Sequence, residues 1–297
     1  MSNNIQISFC IPTYNRASYI ARCIESVLAY TGDDIEVVVL DNKSTDDTLE
    51  IIQGYKDPRL IIKQNELNIG ARANIRKILN FTTGKYCFYL TDDDMIYPGA
   101  IPIIKSFIKE YEPDVFSGDF IVYLEKSGRA SISSPILNTK SPSQMSIEDR
   151  ANLFIRSHVL TSICFRKDKL DFDFYDENID LWYPSLLIIA SMNNNMGYIK
   201  SPIAIHIWEN ELFWGNNSSS NELYDSYMNG LFILQNKFSK DLFRLICIKT
   251  IFNEGKYDKR FNLILGKILV VKIKIELNKR ILIKKIKILL KRFLNFF

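Results

Sequence analysis

Four short segments in the first hundred residues bring together side chains that can hold phosphate and a cation. They read Ile11-Pro12-Thr13-Tyr14-Asn15-Arg16, Asp41-Asn42-Lys43-Ser44-Thr45-Asp46, Asn68-Ile69-Gly70-Ala71-Arg72 and Thr91-Asp92-Asp93-Asp94. The last is the sharpest. Three consecutive carboxylates repel one another, and a cation or ligand that gathers them relieves the cost. A divalent ion on such carboxylates bridges diphosphate oxygens and neutralises a leaving group. In the third segment Gly70 permits close backbone approach, and the helix N-terminus behind it favours negative charge.

Each segment falls where a predicted strand gives way to a loop or helix. Ile7–Pro12, Ile35–Leu40, Leu60–Lys63 and Tyr86–Leu90 are short apolar runs rich in β-formers, as buried strands are. Ala17–Thr31, Thr45–Tyr55, Gly70–Phe81 and Pro98–Tyr111 read as helices, with Ser44 or Thr45 as an N-cap and Pro98 near a helix start. This alternation predicts an α/β fold with a largely parallel sheet and right-handed crossovers. Ligands of such sheets bind outside the carboxyl ends of the strands. Further along, Val115–Leu124, Leu160–Phe165 and Tyr198–Trp208 read as strands. Ser146–His158, opened by a Ser146/Asp149 capping box, and Asp180–Met192 read as helices. The Ser/Pro-rich stretch Ser131–Ser143 reads as a mobile loop.

In this order the four segments resemble the inverting glycosyltransferases of family 2. The resemblance implies a GT-A fold, a Rossmann-like and mostly parallel sheet flanked by helices, and it runs over roughly residues 5–215. The stretch Phe9-Cys10-Ile11-Pro12-Thr13-Tyr14-Asn15-Arg16, with the Thr91-Asp92-Asp93-Asp94 run, looks like the abequosyltransferase-like branch. The implied reaction moves a sugar from a UDP- or CDP-linked donor to a hydroxyl of a bacterial surface glycan. That glycan would be of O-antigen or capsule type on a polyprenyl diphosphate carrier, and the implied cofactor is Mn²⁺ or Mg²⁺. The resemblance assigns Pro12, Tyr14, Asn15, Arg16, Asp41, Asn68, Gly70, Arg72, Asp92 and Asp93 to the nucleotide sugar. Within that set Tyr14 stacks on the base, Asp41 meets base or ribose, and Asp93 meets the ribose or donor sugar. Asp94 is assigned to the metal, Asp92 is a second candidate ligand, and His206 a third.

Inversion requires a general base for the acceptor hydroxyl. The family's Glu-Asp pair is missing from the matching region, Phe174-Tyr175-Asp176-Glu177-Asn178-Ile179-Asp180-Leu181-Trp182. Asp180, at the start of a predicted helix, is the first choice; Asp176 and Glu177 are alternates. Trp208, Trp214, Asn216 and Asn217 are candidates for an acceptor-side loop.

The 297 residues suffice for one large α/β domain and an appendage. The expected division is a catalytic domain at 1–221, with a nucleotide-sugar half to about 114 and an acceptor half from about 115, then a helical region at 222–297. Five cysteines, odd in number and without a C-x-x-C, argue against a disulfide framework or zinc site and for a reducing, cytoplasmic compartment. The polar Met1-Ser2-Asn3-Asn4 is no signal peptide, and no apolar run reaches membrane-span length. From Arg260 onward eleven Lys or Arg face one acid, Glu276, so the rest of the chain is net acidic. The stretch Ile281–Phe293 interleaves basic and apolar residues as an amphipathic helix on an anionic bilayer does. This predicts peripheral attachment to the inner face of the cytoplasmic membrane. No nucleic-acid-binding motif is present. Two other readings stand beside the transferase: a non-catalytic nucleotide-binding module recruited to membranes, and a nucleotidyltransferase, whose glycine-rich loop the N-terminus lacks.

Overall fold

The computed structural model describes residues 5–156, 160–179, 184–192, 194–208, 238–239, 241–242 and 245–246. Its elements run β1 (Ile7–Thr13), α1 (Ile20–Leu28), β2 (Ile35–Asp41), α2 (Thr48–Gln53), β3 (Leu60–Gln64), α3 (Ala71–Ile78), β4 (Tyr86–Tyr89), β5 (Met95–Ile96) and α4 (Ala100–Tyr111). They continue with β6 (Val115–Leu124), β7 (Arg129–Ser133), α5 (Ile147–Arg156), β8 (Cys164–Arg166), α6 (Phe172–Asn178), α7 (Pro184–Ser191) and β9 (Met196–Trp208).

The nine strands form one sheet in the order β3-β2-β1-β4-β8-β6-β9-β5, with β7 against β6. The first four strands pair in parallel, as the strand–helix alternation requires. Beyond β4 the sheet is mixed. The short β8 runs antiparallel to both β4 and β6, so β4 and β6 point the same way, and β9 lies parallel to β6. The carboxyl ends of β1, β2, β3, β4, β6 and β9 therefore share one edge. Strand order reverses between β1 and β4, the topological switch point where open α/β sheets bind ligands.

Apolar faces fix this arrangement. Every residue of β2 is buried, and α1 covers the sheet with Ile20, Cys23, Ile24 and Val27. From the other part of the chain α4 presents Ile101, Ile104, Phe107 and Ile108 to the same core. Full burial of each such side chain contributes about 1.5–3 kcal/mol. The cysteines at 10, 23, 87 and 164 are buried free thiols, small hydrophobes within this core.

Several sequence expectations need correction. The 131–143 stretch is not a free loop. Its start belongs to β7, and its later residues are held to β9, where Lys140 and Tyr198 exchange backbone hydrogen bonds of 2.8 and 2.9 Å. The predicted strand at 160–165 is reduced to β8, because Thr161 and Ser162 turn into the site described below and Ser162 adopts a positive φ of 80°. Helix α6 was not expected. It is capped by Asp171, whose carboxylate accepts from Phe174 N at 3.0 Å, and it buries Phe174, Tyr175 and Asn178. The predicted cap at Ser44 or Thr45 falls instead at Asp47, with Asp46 accepting from Thr48 N at 3.0 Å. The Ser146/Asp149 box is present, with reciprocal backbone contacts of 3.1 Å.

The chain divides into two units, Met1–Ile246 and Cys247–Phe297. Phe238, Leu242 and Ile246 are buried, and Phe238 packs edge-on against Phe154 of α5. Among the described residues no helix is long and apolar enough to cross a membrane. The basic tail from Arg260 lies outside the described residues, as do Asp180, Trp214, Asn216 and Asn217.

Candidate functional site

The acidic triplet leaves β4 at the switch point and runs at once into β5, which pairs antiparallel with β9 through Met95–Ile205 and Ile96–Ala204. That pairing carries Asp94 to the end of β9. Its Oδ1 accepts from Ile207 N at 2.9 Å. Its Oδ2 accepts from the Thr161 hydroxyl at 2.6 Å, from the Thr91 hydroxyl, and lies 2.9 Å from His206 Nδ1. Asp94 and His206 are only 3% and 4% exposed. Burial alone would raise the Asp94 carboxyl. The neighbouring imidazole and the threonine hydroxyls outweigh it and hold Asp94 below the usual carboxylate range.

Asp92 and Asp93 differ from Asp94. Asp92 is buried at the β1 side, where Arg16 Nε lies 3.3 Å from its Oδ1. Burial and then the charge of Asp93 push Asp92 up to about 6, against the pull of Arg16. Burial and the charge of Asp94 raise Asp93 as well. Arg22 on α1 reaches the Asp93 carbonyl at 3.4 Å and pairs with Glu125 at 2.9 Å, bracing the triplet against the end of β6. The triplet thus holds one fully satisfied carboxylate and two crowded ones.

Facing it are the loops after β1 and β2, whose ends are in register at Thr13 and Asp41. Pro12 is half-buried, and Tyr14 is 40% exposed at the edge, free of the core and available for stacking. Asn15 takes a positive φ of 53° and accepts from Thr45 N at 2.8 Å, while its own N–H donates to Ser44 at 2.9 Å. Asp41 is fully buried. It accepts from Ser44 N at 3.1 Å, from the Ser44 hydroxyl and from Gln64 Nε2 at 2.8 Å, an Asx-turn that shapes the loop.

The β3–α3 loop is tied down by asparagines. Asn42 donates to Asn68 at 2.7 Å and accepts from Asn65 at 2.9 Å and Ile69 N at 3.0 Å. Asn65 donates to Asn74 at 2.8 Å, and Asn74 donates to the Leu40 carbonyl at 3.0 Å. Asn68 also accepts from Gly70 N at 2.9 Å, and Gly70 takes φ 82°, ψ 156°, a region reserved in practice for glycine. Nothing lies within 4 Å of where a Gly70 side chain would start, so the start of α3 is approachable there. Arg72 follows in the first turn of α3, half-buried.

The structure therefore brings Pro12, Tyr14, Asn15, Arg16, Asp41, Asp92, Asp93, Asp94 and His206 to one edge, with Asn68, Gly70 and Arg72 at the neighbouring loop. Asp176 is ion-paired: both its oxygens accept from Arg76 of α3, at 2.6 and 2.9 Å. Glu177 is exposed on α6, and Trp208 is 37% exposed at the end of β9. Sequence reasoning missed Thr161, Arg22 and the Asn42/Asn65/Asn74 network. A Thr-Ser pair between apolar residues carries no signal, whereas a loop dense in asparagine does.

Among the described residues no three His, Cys, Asp or Glu side chains form a ready metal cage. The donor set still fits a divalent cation that takes part of its shell from phosphate. Asp92 and Asp93 are crowded carboxylates, and His206 Nε2 is buried without a hydrogen-bond partner. Magnesium-type ions are commonly held by one or two protein groups plus substrate phosphates and water.

Residues 8–171 match the family described as Glycosyl transferase family 2. The chain is 26% identical over 228 residues to the abequosyltransferase RfbV of Salmonella typhimurium, covering 70% of this chain and 68% of that one. It is 39% identical over 100 residues to the chondroitin synthase of Escherichia coli, covering 33% of this chain and 14% of that one. Among solved structures, that of S. aureus TarS 1–349 in complex with UDP-GlcNAc superposes with a TM-score of 0.65 at 17% identity. It covers 86% of this chain and 74% of that one. The likeness to TarS is one of fold.

Proposed function

The chain belongs to glycosyl transferase family 2, and on that premise we propose that it transfers a sugar from a UDP- or CDP-linked donor to a glycan hydroxyl with inversion. The observation that carries the reading is the meeting of the Asp92–Asp94 triplet with the β1 and β2 loops at the switch point of the sheet. In this reading the exposed Tyr14 ring stacks on the base, and the Asp41–Ser44 turn sets the shape of the base and ribose pocket. The open space beside Gly70 lets the diphosphate approach the N-terminus of α3. Arg16, already beside Asp92, orients that carboxylate.

A divalent cation at the triplet would neutralise charge that develops on the diphosphate as it leaves. One or two of Asp92, Asp93 and His206 would hold it from the protein side, with phosphate and water completing its shell. A carboxylate on the acceptor side takes the proton from the attacking hydroxyl. Asp180 is the residue we assign to that role, because Asp176 is locked to Arg76. The acceptor is a surface glycan on a polyprenyl carrier, and the basic tail from Arg260 holds the enzyme at an anionic membrane. These assignments draw on the resemblance of the chain to surface-glycan transferases such as RfbV.

A thermal-shift panel of UDP-, CDP-, GDP- and TDP-sugars, each with Mn²⁺ or Mg²⁺, tests the reading. A ligand at about a hundred times its Kd stabilises the fold by about 2.7 kcal/mol. A metal-dependent rise with a UDP- or CDP-sugar is the expected outcome. No shift with any nucleotide sugar would overturn it.

A further inference from the structure

We propose that the turn after β6, strand β7 and the segment that follows, residues 126–147, form a membrane-contacting surface in which Ile132 and Leu137 enter the interface of an anionic bilayer. This rests on the reading above only in taking the acceptor to be lipid-borne. Among the described residues no large hydrophobic side chain is more exposed than these two, at 62% and 87%. Ile147, at the end of the same stretch, is also exposed. Exposed apolar side chains scattered singly need no explanation, whereas a group of them marks an interaction surface. The segment is not a loose loop. Ser134 donates to Asp119 at 2.8 Å, Ile136 is buried, and Lys200 N donates to the Thr139 hydroxyl at 2.9 Å. Leu137 is therefore held outward between anchored neighbours, and its ordering is complete before any partner arrives.

Charge identifies the occupant. From 126 to 147 the charged side chains are Lys126, Arg129 and Lys140, with no Asp or Glu among them. Apolar side chains interleaved with cations suit the headgroup–acyl boundary of an anionic bilayer. A protein partner is the poorer match, because lysine is depleted at protein interfaces. Position supplies the use. The turn leaves β6 at its carboxyl end, on the edge that carries the acidic triplet. Glu125, at the start of that turn, pairs with Arg22 at 2.9 Å, and Arg22 reaches the Asp93 carbonyl at 3.4 Å. A bilayer against this surface lies beside the site edge, where a lipid-borne acceptor arrives. So few apolar side chains and cations do not hold a protein on a membrane alone, since stable attachment takes two signals. The basic tail supplies the attachment, and residues 126–147 set which edge of the sheet meets the lipid.

Full-length Leu137→Cys protein is labelled with nitrobenzoxadiazole and mixed with phosphatidylglycerol/phosphatidylethanolamine vesicles, with and without doxyl-labelled lipid. Glu110→Cys, exposed on α4, is the control site, and the parent protein treated alike gives the background from native cysteines. The label at 137 should brighten, shift to the blue and be quenched by doxyl lipid, and the label at 110 should not. Vesicles of phosphatidylcholine alone should leave both unchanged. The unlabelled double variant Ile132→Ser/Leu137→Ser should partition onto the anionic vesicles about tenfold more weakly than wild type, from the apolar area it no longer buries. Vesicle-bound full-length protein whose 137 label stays in water overturns the proposal and leaves attachment by the tail and the transfer reading in place. A blue shift without vesicles that grows with protein concentration overturns it in favour of an interface between copies of this chain. Failure of the full-length protein to bind the vesicles overturns it together with the tail's role, and leaves transfer to a soluble acceptor untouched.

Discussion

Arg76 on α3 grips Asp176 on α6 with two parallel hydrogen bonds, Nε to Oδ1 at 2.6 Å and Nη2 to Oδ2 at 2.9 Å, while its guanidinium lies 4.4 Å above the Phe172 ring. The fork joins a helix that opens at the donor loop to one that belongs to the second half of the sheet. On the proposed assignment of the base to Asp180, the fork leaves Asp176 with a structural role. Asp176→Asn is expected to lower stability by about 1 kcal/mol, the upper range for a partly exposed pair with good geometry. Its kcat should stay within about threefold of wild type, since surface changes away from the chemistry have small effects. Urea denaturation and initial rates on the same preparation check this. A loss of two orders of magnitude in kcat at unchanged stability would put the base on Asp176.

Asp180→Asn should reduce kcat by about 10²-fold or more, the scale for loss of a general base. Binding of the donor nucleotide, followed by calorimetry, should be preserved. Unchanged turnover in Asp180→Asn together with an inactive Glu177→Gln would move the role to Glu177.

Asp92 makes stability depend on pH in a direction opposite to an ordinary paired aspartate. Its folded-state value is pushed up to about 6 by burial and by Asp93, whereas an unfolded aspartate titrates near 3.9, about two units lower. As pH rises from about 4 to about 6 the unfolded chain releases this proton while the folded chain keeps it, so stability falls through that window. In EDTA, Asp92→Asn should therefore match wild type near pH 4 and exceed it above pH 7 by on the order of 2 kcal/mol. Urea melts at the two pH values read the difference. A gap that does not change with pH would show that Asp92 carries no such penalty.

Much of this site was legible in the sequence because its first half is built from local signals. Apolar runs gave β1 to β4 within a residue or two, and each ended at the segment whose side chains now meet at the switch point. The partners of those side chains were not legible. Asp94 and His206 are separated by more than a hundred positions and meet only through the two-residue strand β5, too short to show periodicity. Thr161 reaches Asp94 from a turn that reads as strand because its neighbours Leu160 and Ile163 are apolar. Asp176 read as a free acid since its partner lies on a helix a hundred residues upstream. Long-range pairing, not local propensity, assigned these roles.

The tail makes a separate claim. Removing Ile281–Phe297 should leave turnover on a short water-soluble acceptor intact and abolish co-sedimentation with anionic liposomes. Each Lys or Arg near such a surface contributes about 1 kcal/mol, and high salt should release the full-length protein. Equal sedimentation of truncated and intact protein would place any membrane contact elsewhere.

The most direct measurement of the central claim is a transfer assay with labelled UDP- and CDP-sugars and the polyprenyl-linked glycan fraction of the cells that make this protein. Full-length enzyme with Mn²⁺ or Mg²⁺ is predicted to move label into that fraction, release one nucleoside diphosphate per sugar and invert the anomeric centre. Nucleotide binding without sugar transfer, or release of a nucleoside monophosphate in place of the diphosphate, would contradict the account.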